Sequence, residues 1–222
     1  SLDLKAYEAD MRHLIDTYIQ AAEPRPISPF GDMPLMDLIV KSGIAAAIAE
    51  RLGGLQGNED AIAETIENNV RSRILKEQLS DPAYFAKMSA LLDEIIAQRR
   101  ARAIEYEEFL KRIAELAQRV AAGHEDDTPE PLKRSPALRA IYNSLVADGA
   151  IAERRAPYKF ADNPALELAI AIDRTVREAR PDDWRDNGGP REEMVKAALY
   201  GVLQDVGEVE RLFPIIKAQK EY

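Results

Sequence analysis

The sequence predicts an all-α protein, a multi-helix bundle of about eight to nine helices in two lobes. Three observations carry that expectation. Apolar residues recur at spacings of three and four, the period of an amphipathic helix, rather than at two, the period of a strand. Asp81, Ser135 and Asn163 each stand directly before a proline, and such a pair starts a helix: the side chain accepts from an unpaired amide while proline suits the first helical position. The 222 residues are 46% hydrophobic and 31% charged, enough apolar content for a sizeable core and too much charge for a membrane span or a low-complexity chain.

The first expected helix places Leu4, Tyr7, Met11, Leu14, Ile15 and Tyr18 on one stripe, and Pro24, Pro26, Pro29 and Pro34 forbid its continuation. Asp32 is positioned to cap a second helix from about Pro34 to Leu52, which Gly53 and Gly54 would end. Asn58 caps a third, carrying Ile62, Ile66, Val70 and Ile74. Asp81 and Pro82 open a long helix whose buried stripe is Tyr84, Phe85, Met88, Leu91, Leu92, Ile95 and Ile96. A similar stripe follows in Tyr106, Phe109, Leu110, Ile113, Leu116 and Val120; Arg99 to Glu105 holds neither glycine nor proline, so the sequence leaves open whether the two are one helix.

Residues 123–135, GHEDDTPEPLKRS, combine two prolines with an acidic run and little apolar content, which reads as an exposed linker between lobe 1–122 and lobe 136–222. Beyond it, Ser135 and Pro136 open a helix through Leu138, Ile141, Tyr142 and Leu145, and Asn163 and Pro164 open another through Leu166, Ile170 and Val176. Pro190 starts a helix carrying Met194, Leu199, Val202 and Leu203, and a terminal helix uses Val209, Leu212, Phe213 and Ile216, with a kink expected at Pro214.

Composition narrows function. A net charge of -9 repels phosphate over the chain as a whole, so coating nucleic acid is not its main role, although a local basic face is compatible with that sum. With no cysteine, disulfides, thiol catalysis and cysteine metal sites are excluded together; Asp3, Lys5 and Glu8 interrupt the place of a signal sequence, and no apolar run reaches the roughly 20 residues a bilayer span needs. The expectation is a cytoplasmic chain without membrane contact.

The chemical motifs are incomplete. Leu91, Leu92, Asp93 and Glu94 imitate the magnesium-binding strand of motor ATPases, but they lie inside a helix-periodic segment, and no glycine in the chain is followed by lysine, so the phosphate loop is missing. Pro181 and Asp182 match the opening of a metal-nuclease signature whose acidic residue and lysine do not follow at the required spacing. Asp10, His13 and Asp16 share a helix face, yet a bundle di-metal site needs Glu-x-x-His on two helices, and the other histidine, His124, sits in the expected linker. No catalytic, cofactor or metal-ligating residue is therefore assigned.

What remains is basic and amide-rich. Arg99, Arg100 and Arg102 cluster near the end of the long helix, and Asn68, Asn69, Arg71 and Arg73 form a polar group on the third. These arginines are the candidates for DNA contact, against the plainer reading that cations near a helix C-terminus compensate its dipole. Asn68, Asn69, Trp184 and Arg185 are the candidates for a protein interface; Trp184, the single tryptophan, would either anchor a partner or pack back on the bundle.

Seven stretches, in family order, resemble the C-terminal helical region of the R subunit of type I restriction-modification enzymes, the subunit that carries motor and nuclease. They are LKAYEADMRHLIDTYIQA from Leu4, LIVKSG from Leu38, AIAETIENNVRSRI from Ala61, DPAYFAKMSALLDEIIAQRR from Asp81, DDWRDN from Asp182, VKAALYGVLQD from Val195 and VERLFPIIKAQKEY from Val209. The resemblance spans almost the whole chain. It departs at Asp186, where the family's Asp-Trp-Arg-Gly-Asn word has glycine, which puts in doubt any tight turn or close contact there. The resemblance implies a non-catalytic assembly module. Its partners would be the motor domains of the same R subunit and the M and S methyltransferase subunits, with duplex DNA as an alternative. ATP and magnesium would belong to the parent subunit, whose nuclease and RecA-like motor motifs match nothing in this chain.

Overall fold

The computed structural model describes residues 33–148 and 162–222. The expected first helix, from Leu4 to Tyr18, and the Asp32 cap lie outside those residues. Ten α-helices and no strand occur among the described residues, as the three-to-four periodicity predicts. They are α1 Leu35–Ser42, α2 Ile44–Arg51, α3 Glu59–Glu77, α4 Pro82–Arg100, α5 Tyr106–Ala122, α6 Glu130–Arg134, α7 Pro136–Asp148, α8 Pro164–Ala179, α9 Pro190–Leu203 and α10 Val206–Lys217.

The polar start signals act as local chemistry dictates. Asn58 accepts from the Ala61 amide at 3.0 Å, Asp81 from Tyr84 at 3.3 Å, Ser135 from Leu138 at 3.1 Å and Asn163 from Leu166 at 3.2 Å. Asp205 does the same for α10, accepting from Glu208 at 3.1 Å. That helix continues through Pro214 to Lys217.

Two boundaries differ from the sequence expectation. The helix expected from Pro34 to Leu52 is divided at Gly43, whose φ of 86° and ψ of 158° only glycine adopts without strain, so the chain turns between α1 and α2. The open question at Arg99 to Glu105 resolves as a break. Arg102 takes a left-handed φ of 54°, its amide bonds Arg99 O at 3.0 Å and the Ala103 amide bonds Gln98 O at 2.9 Å, a Schellman ending built on arginine where glycine is usual.

Two apolar cores form. The first joins α1 to α5 through residues such as Leu38, Ile66, Val70, Met88, Leu92, Phe109 and Ile113. Here α3, α4 and α5 run antiparallel, since Arg71 pairs with Asp93 while Arg99 pairs with Glu67, and Arg112 bonds Gln98 while Tyr84 bonds Arg119. The second core joins α6 to α10 through Leu132, Ile141, Ile172, Trp184, Leu199, Leu212 and Ile216. Each such Leu or Ile contributes about 1.5–3 kcal/mol when fully buried.

The segment 123–135 is not wholly linker. Leu132 is fully buried in the second core and draws Glu130–Arg134 into a short helix, so one apolar residue ties the stretch down. The two cores meet along a seam where α4 packs against α7. Asn143 of α7 donates to Asp81 at 2.9 Å, and Gln219, just after α10, donates to the Ser80 carbonyl at 2.7 Å.

Candidate functional site

The basic candidates separate into two groups. Arg71 donates to Ser89 Oγ at 2.8 Å and pairs with Asp93, while Arg73 reaches Asp37 of α1 at 2.6 Å. Arg99 is the most enclosed of the set at 11% exposure. It donates to both carboxylate oxygens of Glu67, at 2.6 and 3.3 Å, and to Asp60 at 3.1 Å, and it lies 5.6 Å from the Phe109 ring centre. Hydrogen bonding to Glu67 holds its guanidinium above the ordinary arginine range. These three arginines cross-brace α1, α3 and α4.

Arg100 and Arg102 are different. Both are exposed at the C-terminal end of α4. With Glu59, Asp60, Glu64 and Tyr106 they border a recess of about 550 Å³ in which acids offset the cations. Of the neighbouring amides, Asn68 is exposed, and Asn69 returns a hydrogen bond to Thr65 O at 2.8 Å on its own helix.

Trp184 resolves toward the packing reading. It is 1% exposed, meets Phe213 edge-on with ring centres 6.0 Å apart, and its indole N–H donates to Tyr222 O at 3.3 Å. Arg185 lies 4.6 Å from the Trp184 ring centre and donates to the carbonyls of Lys217 at 2.8 Å, Gln219 at 2.5 Å and Tyr222 at 3.1 Å. Together they clamp residues 217–222 to the loop ahead of α9. Tyr222 completes the clamp, its hydroxyl donating to Asp173 at 2.5 Å; burial and that carboxylate raise the phenol above its ordinary range.

Asp186, the departure from the family word, has its own work. Its carboxylate accepts from the amides of Arg191 at 2.8 Å and Glu192 at 3.2 Å, capping the start of α9. Glu192 answers by accepting from Asn187 at 3.1 Å and Gly188 at 2.8 Å, and from Lys217 at 2.6 Å. Sequence reasoning missed this network and the Asp81–Asn143 seam bond; the Glu three residues after Gly189 was the available signal for the first, and nothing local pointed to the second.

The remaining chemical lookalikes keep their structural character. Leu92 is buried inside α4 while Asp93 faces Arg71, so Leu91 to Glu94 are a helix segment rather than a strand end. The carbonyls of Asp182 and Asp183 accept from Arg191 at 3.3 and 3.1 Å in the loop before α9. His124 Nδ1 lies 2.9 Å from the Glu125 carbonyl. Asp10, His13 and Asp16 lie outside the described residues. Among the described residues no group of three or more His, Asp or Glu side chains is placed to hold a metal ion, and no helix is long and apolar enough to cross a membrane.

One apolar surface stands out. Leu75 of α3 and Leu79 in the turn that follows it are 57% and 74% exposed, and Leu79 borders a shallow groove with Pro82, Ala86 and Ala90 of α4. Comparisons with protein-family models, curated proteins and solved structures find no match for this chain.

Proposed function

We propose that this chain is the non-catalytic C-terminal assembly and scaffolding module of a type I restriction enzyme R subunit, packing on the motor lobes and docking onto the methyltransferase core of M and S subunits. The parent enzyme would translocate DNA with ATP and cut foreign DNA; this part would hold the machine together. The observation that carries the reading is the ordered run of seven family-like words from Leu4 to Tyr222.

Two features of the fold support it. Arg71, Arg73 and Arg99 are committed to carboxylates within the lobe, which leaves a brace rather than a phosphate-binding row. Leu75 and Leu79 give the first lobe an uncovered apolar strip of the sort protein interfaces use. In this reading the lobe up to about Val120 braces the second motor lobe, and the part from Ser135 onward faces the methyltransferase.

Mixing the purified chain with the M and S complex at moderate salt tests the assignment. Co-elution with the complex and no retention of duplex DNA is the expected result. In the full subunit, deleting Ser135 to Tyr222 should abolish assembly and spare DNA-stimulated ATPase; retained assembly would overturn the docking role.

A second reading, a DNA-tracking surface, rests on the exposure of Arg100 and Arg102. Reversing those two charges leaves the Arg99 brace intact. On the tracking reading it weakens duplex binding and lowers the salt slope, and on the assembly reading it changes neither.

A further inference from the structure

We propose that residues 218–222 are a releasable strap that couples the two lobes: seated, it fastens the second lobe to the α3–α4 turn of the first, and Arg185 is the positioning residue that seats it. The inference goes beyond the assembly reading and does not depend on it.

The strap begins where α10 ends. The Ala218 and Gln219 amides turn back to the carbonyls of Pro214 and Ile216, each at 3.1 Å. Gln219, 3% exposed, then donates to Ile215 O at 2.8 Å and, across the seam, to Ser80 O at 2.7 Å. Glu221 accepts from the Ser135 hydroxyl at 2.9 Å, the Ala137 amide at 2.8 Å and Arg177 at 3.0 Å, which ties the strap to the start of α7 and to α8. Tyr222 donates to Asp173 of α8, and its ring centre lies 5.1 Å from the Arg177 guanidinium carbon. Five residues thus gather α7, α8 and the loop ahead of α9, and reach the first lobe through Gln219.

Seating depends on Arg185. Backbone carbonyls outside a helix need donors, and one guanidinium supplies them to Lys217, Gln219 and Tyr222, with the Trp184 indole as a second donor to Tyr222 O. The Trp184 ring, 4.6 Å away, holds that guanidinium in place. Among the described residues the hydrogen bonds of Arg185 all end on 217–222, so Arg185 reaches the first lobe only through the strap.

The strap is bound chiefly by polar contacts. It contributes Tyr222 alone to the second apolar core and no residue to the first. Hydrogen bonds exchange with water at a small net cost each, and freed residues regain conformational entropy, so the strap opens before either core unfolds. When it leaves, α4 still packs on α7 and Asn143 still holds Asp81, so release loosens the seam at the α3–α4 turn without parting the lobes. A partner that unseats the strap on the second lobe is thereby felt at the first.

The test uses the whole chain, with Trp184 emission and amide exchange corrected for intrinsic rates. Arg185→Met keeps an apolar stem on the Trp184 ring and removes the donors. Expected are a red shift of the single tryptophan and exchange about tenfold faster at Ala137, Tyr84 and Phe85, with Ile66 and Ile172, inside the two cores, unchanged. Gln219→Ala cuts the tie to Ser80 alone and should speed Tyr84 and Phe85 equally while leaving the emission as in the parent. In the double variant those two amides exchange no faster than in Arg185→Met, because both changes open one route. Arg185→Lys, which keeps the charge without the planar fork, replaces Arg185→Met under the same criteria if the latter does not fold. Unchanged exchange at Tyr84 and Phe85 in the Arg185 variant, additive acceleration in the double variant, or faster exchange of Ile66 and Ile172 along with the rest would each overturn the strap.

Discussion

Arg99 and Arg100 are neighbours in sequence with opposite fates, because successive helical residues point about 100° apart. Arg99 turns inward to Glu67, whose carboxylate is 4% exposed, whereas Arg100 stays in solvent. Removing Glu67 leaves the enclosed Arg99 guanidinium with only the exposed Asp60 carboxylate as a partner. Glu67→Ala should therefore cost about 2 kcal/mol in urea unfolding, while Arg100→Ala stays within about 0.5 kcal/mol of the parent. Equal effects at the two positions would contradict the brace assigned to Arg99. The same inward and outward division explains why charge alone could not separate structural arginines from surface ones. Trp184 teaches the converse: a loop tryptophan is buried here because the chain after α10 supplies a carbonyl for its indole and Phe213 supplies a wall.

At the scale of elements, most starts were legible and two stops, at Gly43 and Arg102, were not. A polar capping residue sets a helix start within about four residues of chain, reinforced by a following proline at Asp81, Ser135 and Asn163, so these three and Asn58 could be read directly. The end of α4 uses Arg102 at φ 54°, a conformation that carries no signature when glycine is absent. Arg102→Gly should relieve that strain and raise stability by about 0.5–1 kcal/mol, measured from the urea midpoint at constant slope. A lower midpoint would mean that the arginine side chain contributes more than its backbone costs. Gly43 is the mirror case: the glycine was visible, but the apolar pattern ran across it and favoured one helix where there are two.

For the whole molecule, the question is whether two cores behave as one. The seam holds Asn143 to Asp81 and Gln219 to Ser80, joining elements more than sixty residues apart in sequence. If those contacts couple the lobes, urea unfolding should give one transition. Trp184 emission, which reports only the second core, should then coincide with far-UV ellipticity, which reports both. Separate midpoints would mean that the lobes unfold independently and that the seam carries little of their stability.

The sequence by itself determined the helical class, most helix starts, the stripes that become the two cores and the lack of complete catalytic motifs, because each depends on residues within a few positions of one another. Tertiary structure alone decided which arginines brace helices, that Trp184 faces inward, that Leu132 anchors the segment between the lobes, and that Asp81 meets Asn143. Each of those outcomes depends on a partner distant in sequence, and burial, which fixes the strength of an ion pair and the affinity of a carboxyl for its proton, exists only once both lobes have packed.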